Sequence, residues 1–297
     1  MLGLGNAVTK QQEWSPGYIS DLIGWWDFSD VSTMFQERDG TFVTPVDSVN
    51  DPIGSIKNKA MPHSGGIATP NNRIGSYLYA SSDSERPLLY LHQSTGRSCA
   101  VFDGTDDHLV CERDDDGGGV TGGISGSKLS LVDLDLANMT YAVVVQNDNA
   151  SLSGTDDVIF IMQSSAAYTA VYYDVTNQDF EISSNMKTAT STNNFGSSFQ
   201  TFTVISANDA ATIYRNGTAE GSSTGSDWFS TGDATGDFEN DHNAFVIGEN
   251  YRGANGLLTG KNWDGKICEI IIYNKALSSR ENERLQSYIL SKWYTIT

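Results

Sequence analysis

Positive charge is scarce in this chain. Its 297 residues hold 18 Lys and Arg against 37 Asp and Glu, a formal net charge of −19. Binding to nucleic-acid phosphates relies on cationic side chains that neutralise charge, so a nucleic-acid partner is not expected. An anionic membrane surface is not expected for the same reason. Long apolar runs are also missing, and none approaches the roughly 20 residues that span a bilayer. No basic stretch precedes an apolar one at the N-terminus, so the sequence reads as carrying no secretory signal. Cysteine is limited to Cys99, Cys111 and Cys268, an odd number with no zinc-ligand spacing. They read as free thiols, with Cys268 a packing residue inside an Ile-rich strand.

The acidity itself reads as solubility. The four histidines, His63, His92, His108 and His242, sit in ordinary polar contexts and read as surface residues. No Gly-x-Ser-x-Gly elbow surrounds a serine, although residue counts alone leave a Ser–His–Asp arrangement open. A glycine-rich phosphate loop ending in Gly-Lys is absent as well.

What is present is a series of short strands. Hydrophobic residues make up 38% of the chain and Gly numbers 29, with many Ser, Thr, Asn and Asp between apolar stretches. Leu22-Ile-Gly-Trp-Trp-Asp-Phe reads as the first strand. Ser98 to Cys111 reads as strand, turn and strand. Thr140-Tyr-Ala-Val-Val-Val-Gln, Val158-Ile-Phe-Ile-Met-Gln, Ala167–Asp174, Asp179–Ser183 and Phe202–Ser206 continue the pattern. Asn216-Gly217 supplies the positive φ angles of a tight hairpin. Gly221 to Asn243 reads as a long polar loop, and Ala244-Phe-Val-Ile-Gly as the penultimate strand. The last strand, through Ile-Cys-Glu-Ile-Ile-Ile-Tyr273, is entered by what reads as an Asp264-Gly265 turn. A helix follows, opened by a Ser278–Glu281 capping box and carrying Leu285, Tyr288, Ile289 and Trp293 on one face. These elements predict an all-β fold: a two-sheet antiparallel jelly-roll sandwich with a short C-terminal helix. Residues 1–20, broken from the rest at Pro16-Gly17, read as an N-terminal arm, and residues 21–297 as one domain.

Four segments in this order resemble the concanavalin A-like (laminin G type) family. They are Leu22-Ile-Gly-Trp-Trp-Asp-Phe-Ser-Asp, Val101-Phe-Asp-Gly-Thr-Asp-Asp-His-Leu, Ile213-Tyr-Arg-Asn-Gly-Thr, and Trp263-Asp-Gly-Lys-Ile-Cys-Glu-Ile-Ile-Ile-Tyr with the Tyr288–Trp293 helix. Such sandwiches are mostly binding or structural modules. The Leu-Gly-Leu-Gly-Asn opening further resembles virion structural proteins of tailed bacteriophages. That resemblance implies a non-enzymatic virion protein, assembled in the host cytoplasm. It would be a capsid decoration or tail-associated module, present in many copies or as a homo-oligomer, that stabilises the particle or contacts host-surface glycans. Leu2, Leu4, Val8 and Trp14 would anchor it to a major capsid or tail protein, the simpler reading being that the arm packs back onto its own domain. The alternative is a carbohydrate-binding module or glycoside hydrolase of bacterial origin.

The residues bear on these readings as follows. Glucanases of this shape carry Glu-x-Asp-x-x-Glu on one strand, because hydrolysis needs two flanking carboxylates. The nearest match, Glu239-Asn-Asp241-His-Asn-Ala244, lacks the last acid, so no catalytic residues are assigned. Trp228, Phe229 and Tyr172 are candidate ligand or interface aromatics. Asp103, Asp106 and Asp107 are candidate calcium ligands, set against the simpler reading that they form an Asx turn. A second acidic run, Asp114-Asp-Asp, reads as a solvated loop.

Overall fold

The computed structural model describes residues 14–60, 72–74, 76–92, 95–112, 130–131, 138–148, 157–163, 168–184, 188–192, 197–207, 210–224, 244–251, 257–258 and 262–294. Two antiparallel sheets form the sandwich that the patterning predicts. The first runs in the order β17 (Thr218–Thr224), β16 (Ala210–Arg215), β15 (Gln200–Ala207), β10 (Thr140–Asn147), β21 (Asp264–Tyr273), β7 (Ser98–Asp103) and β6 (Leu88–Leu91). Strand β1 (Leu22–Asp27) also pairs with β21, beyond the stretch that β7 occupies. The second sheet runs β14 (Thr188–Thr190), β13 (Asp179–Ser184), β12 (Tyr168–Asp174), β11 (Asp157–Gln163), β18 (Ala244–Ile247), β8 (Leu109–Glu112), β5 (Tyr77–Tyr79), β3 (Ser55–Lys57) and β2 (Met34–Phe35). Two small pairs complete the set: β4 (Asn72–Arg73) with β9 (Ser130–Leu131), and β19 (Asn250–Tyr251) with β20 (Leu257–Leu258).

Aromatic pairs cross between the sheets. Trp26 of β1 stacks on Phe245 of β18 at 4.8 Å, and Phe180 of β13 on Phe202 of β15 at 3.9 Å. Each such pair adds about 0.5–1.5 kcal/mol beyond its area burial. Alternation in β1 turns Trp26 inward and leaves Trp25 half-buried on the outside. Strands β10 and β21 are buried on both faces, which is why they read as continuous apolar runs. Val143, Val145, Ile270 and Ile272 face the sandwich interior, whereas Ala142, Val144, Ile271 and Tyr273 face the helix.

That helix, α1 (Ser279–Trp293), starts at the capping box: Ser278 Oγ accepts the Glu281 N–H, and the Glu281 carboxylate accepts the Ser278 N–H. Its apolar face buries Leu285, Ile289 and Trp293 against the first sheet. At roughly 2 kcal/mol per buried side chain, these three residues hold the helix down. The described part of the N-terminal segment packs on the same side. Trp14 and Ile19 join this cluster, and the Tyr273 hydroxyl donates to the Pro16 carbonyl at 3.0 Å. No helix among the described residues is long and apolar enough to cross a membrane.

Four expectations are corrected. Asp264-Gly265 is no turn: both residues belong to β21, paired with Asp103 and Phe102 of β7. Gly265 is required there because its φ is 153° and a Cβ would run into the Gln146 carbonyl oxygen. Strand β17 extends the Asn216-Gly217 hairpin to Thr224, into the expected loop. Strands β19 and β20 follow β18, so Ala244–Ile247 is not penultimate. His108 is buried, at 1% exposure, because the turn before it folds it under. None of the three cysteines forms a disulfide, as expected, and Cys99 and Cys111 are buried along with Cys268.

Candidate functional site

The sequence-predicted acidic turn forms between β7 and β8. Asp103 Oδ1 accepts the Thr105 N–H at 2.8 Å, and Gly104 takes a positive φ of 72°. The Asx turn is therefore real. Asp107 Oδ2 closes the loop by accepting the Asp103 N–H at 2.9 Å. Ligand oxygens of Asp103, Asp106 and Asp107 lie within 4.8 Å of one another. Burial, and then the charges of Asp103 and Asp106, push the Asp107 carboxyl up to about 7. Asp264 on the facing strand is also raised, by burial and then by Asp148 and Asp103. Oxygens not spent on the turn remain on all three aspartates, and this suits a hard divalent cation such as calcium.

Next to that turn lies an arrangement that no local motif announces. His108 Nε2 is 2.6 Å from the hydroxyl of exposed Ser81. His108 Nδ1 faces Glu249 Oε2 at 3.2 Å and the Asp106 carbonyl at 3.0 Å. Two acceptors at Nδ1 fix its proton there and leave Nε2 to accept from Ser81. Burial opposes the charged imidazole, but Glu249 outweighs it and raises the His108 pKa. Hydroxyl, imidazole and carboxylate thus stand in the order of a nucleophile, a base and the group that orients the base.

The third arrangement is a groove beside α1, and a bulge in β21 creates it. Against β10, Val145 pairs with Ile267 and Val144 with Glu269, so Cys268 is an extra residue. The bulge turns both Cys268 and Glu269 toward the helix. Glu269 is completely buried, and a buried carboxylate must find donors. Its Oε1 accepts from Trp25 Nε1 and the Tyr288 hydroxyl, each at 2.8 Å. Its Oε2 accepts from Trp293 Nε1 at 2.7 Å and Lys292 Nζ at 3.0 Å. Lys292 also reaches Asp27 at 2.7 Å, and Lys59 bridges Asp27 and Asp30 at 2.8 Å each. Burial alone would raise the Asp27 pKa, but Lys292 and then Lys59 bring it down to about 2.

Asp27, Asp30, Lys59 and Lys292 of this chain of charges floor an open groove of about 1140 Å³. Trp14, Trp25 and Tyr288 form its aromatic side, with Trp14 and Tyr288 ring centroids 5.7 Å apart. Ser287, Ser291 and Arg284 on the outer face of α1 line it as well. Sequence reading missed this site. One signal was present: Glu269 inside Ile-Cys-Glu-Ile-Ile-Ile is a carboxylate in a buried run, which demands a cation partner.

Of the four candidate anchor residues, Trp14 alone is described. Leu2, Leu4 and Val8 lie outside the described residues, as do Trp228, Phe229, Asp114-Asp-Asp and the Glu239–Asp241 acids. Tyr172 lies on the outer face of the second sheet, half-buried, and its hydroxyl donates to Glu181 at 2.5 Å. Tyr173 points the other way, into the interior.

The model of the concanavalin A-like lectin/glucanases superfamily matches residues 119–281. The chain belongs to this superfamily. Among solved structures of similar shape is domain 4 of AbnA, a GH43 extracellular arabinanase from Geobacillus stearothermophilus, in complex with arabinotriose. It is 12% identical, with 89% of this chain and 98% of that one covered, at a TM-score of 0.48. The native heptameric SAP-like pentraxin from Limulus polyphemus is 13% identical over 50% of this chain and 68% of its own, at 0.36. Trypanosoma rangeli sialidase is 12% identical over 94% of this chain and 34% of its own, at 0.44. No curated protein matches the sequence.

Proposed function

We propose that this concanavalin A-like sandwich is a non-catalytic contact module that binds glycan in the groove beside α1. One observation carries the reading: three half-buried aromatic rings and a row of hydroxyls share an open groove whose floor charges are already paired. Sugar rings stack on Trp and Tyr faces, and fixed polar groups take up their hydroxyls. Glycosidic cleavage needs one carboxylic acid protonated near neutral pH. Asp27, held near 2, stays ionised, and both Glu269 oxygens are engaged. Attachment to a tailed-phage capsid or tail through the arm, in many copies, is the setting suggested by the N-terminal resemblance, with host-surface glycan as ligand.

A glycan array run with calcium and with chelator tests the reading. Binding that survives chelator and is weakened at least tenfold by Arg284→Ala supports the groove. Binding lost in chelator moves the site to the acidic turn, and binding to no glycan ends the proposal. For the anchor, removal of residues 2–13 is expected to abolish incorporation into particles, and normal occupancy would rule the anchor out.

Ser81, His108 and Glu249 support a second reading, as an acyl-ester hydrolase. Ser81 would attack the acyl carbon while His108 takes the hydroxyl proton. Covalent labelling of Ser81 by a fluorophosphonate, lost in His108→Ala, is its test; an unlabelled Ser81 dismisses it.

A further inference from the structure

Cys99 and Cys268 face each other under α1. Ile267 of β21 pairs with Ala100 of β7, so the next opposed pair along the two strands is Cys268 and Cys99. Their sulfurs lie 2.8 Å apart, and both residues are fully buried. That distance is well inside the roughly 3.5–4.0 Å of ordinary heavy-atom contact. It is about 0.8 Å longer than a disulfide bond of about 2.05 Å. Opposed residues on antiparallel strands have Cα atoms about 4.5–5.5 Å apart, inside the range of about 4.4–6.8 Å that a disulfide spans.

The unshifted register of β21 against β7 sets up the meeting. Cys268 is the extra residue against β10, and it sits where the partner of β21 changes from β7 to β1. Its carbonyl accepts the Phe28 N–H at 3.0 Å, which fixes its backbone at that junction. Cys111, the odd thiol, belongs to the interior cluster instead.

We propose that Cys99 and Cys268 are a redox modification site, closing to a cross-strand disulfide when the chain folds in the presence of a small-molecule disulfide such as oxidised glutathione. One cysteine thiolate attacks the reagent, releasing one glutathione thiol and leaving a mixed disulfide. The second thiolate attacks the protein sulfur of that mixed disulfide and releases the second glutathione. One S–S bond forms, two thiol protons leave, and the reagent takes up two electrons. Burial, and then the neighbouring Cys99, raises the Cys268 thiol pKa well above its usual value, so the folded protein reacts slowly. Exchange therefore proceeds before α1 docks or while it is lifted.

The test is to refold the full chain in glutathione buffers of rising oxidised fraction, quench with acid, and alkylate under denaturant. The expected product carries a single alkylated cysteine, Cys111, with peptides containing residues 99 and 268 linked, and before alkylation it weighs about 2 Da less than the reduced protein. Its Tm is expected about 5–10 °C above that of the reduced protein, because the link closes a very long loop. Cys111→Ser should form the same link with no alkylated cysteine, and it leaves the pair untouched should other cysteine variants fail to fold. Three alkylated cysteines at every ratio, a link through Cys111, or a product stalled at the glutathione adduct would overturn the proposal.

Discussion

Glu269 of β21 and Trp293 of α1 are joined by a 2.7 Å hydrogen bond from the indole Nε1 to the carboxylate Oε2. It lies in the interface between α1 and the first sheet, beside Leu285 and Ile289. The helix is thus held to the sheet by a directional polar contact as well as by packing. The same carboxylate positions Trp25, Tyr288 and Lys292, so stability and groove geometry share one residue.

Glu269→Gln should therefore be strongly destabilising. It removes the charge facing Lys292 and sets an amide N–H₂ against donors. Breaking one side of a buried ion pair costs about 3–5 kcal/mol. Urea unfolding followed by tryptophan fluorescence measures this, and a cost under about 1 kcal/mol would mean that the lysine finds compensation elsewhere.

Asp27 predicts the acid limb of the stability curve. Its folded pKa of about 2 lies below the ordinary carboxylate value of 3.8. Its contribution is therefore fully present above about pH 4 and is lost as pH falls through 2. The depression corresponds to about 2 kcal/mol. In Asp27→Asn, the urea midpoint should fall less steeply between pH 4 and pH 2 than in the wild type.

Asp107 predicts the opposite slope. Its carboxyl is raised to about 7, so its penalty to the folded state is absent near pH 4, grows as pH rises, and is complete above pH 7. Asp107→Asn should stabilise by about 1–3 kcal/mol at pH 8 and by almost nothing at pH 4. If the turn holds calcium, millimolar calcium will raise the wild-type Tm at pH 8 and leave the variant unmoved.

Gly265 supplies a backbone test. Gly265→Ala would place a methyl group against the Gln146 carbonyl in the adjoining strand. We expect a loss of about 2–4 kcal/mol in thermal or urea unfolding, whereas Gly96→Ala, with nothing near its Cβ, should lose far less despite its φ of 65°.

The parts of the fold legible in the sequence were those set by local pattern. Ser278 and Glu281 announced the helix start because a capping box needs only three residues of spacing. Asn216-Gly217 announced the hairpin, with φ angles of 49° and 84°. Phe102-Asp-Gly announced the acidic turn and two of its hydrogen bonds. The groove was different. Trp14, Trp25, Asp27, Lys59 and Tyr288 come from four separate stretches of chain, and no spacing relates them. Ser81, His108 and Glu249 are likewise separated, and His108 read as exposed because its neighbours are polar.

Sequence by itself determined the two-layer β class, the closing helix and the capped turns, because each follows from side-chain alternation or a few adjacent backbone angles. Tertiary structure decided which face Glu269 points to, which thiols meet, and which histidine is buried. A one-residue bulge reverses side-chain direction without leaving a mark in composition, and burial depends on strands brought together from distant parts of the chain.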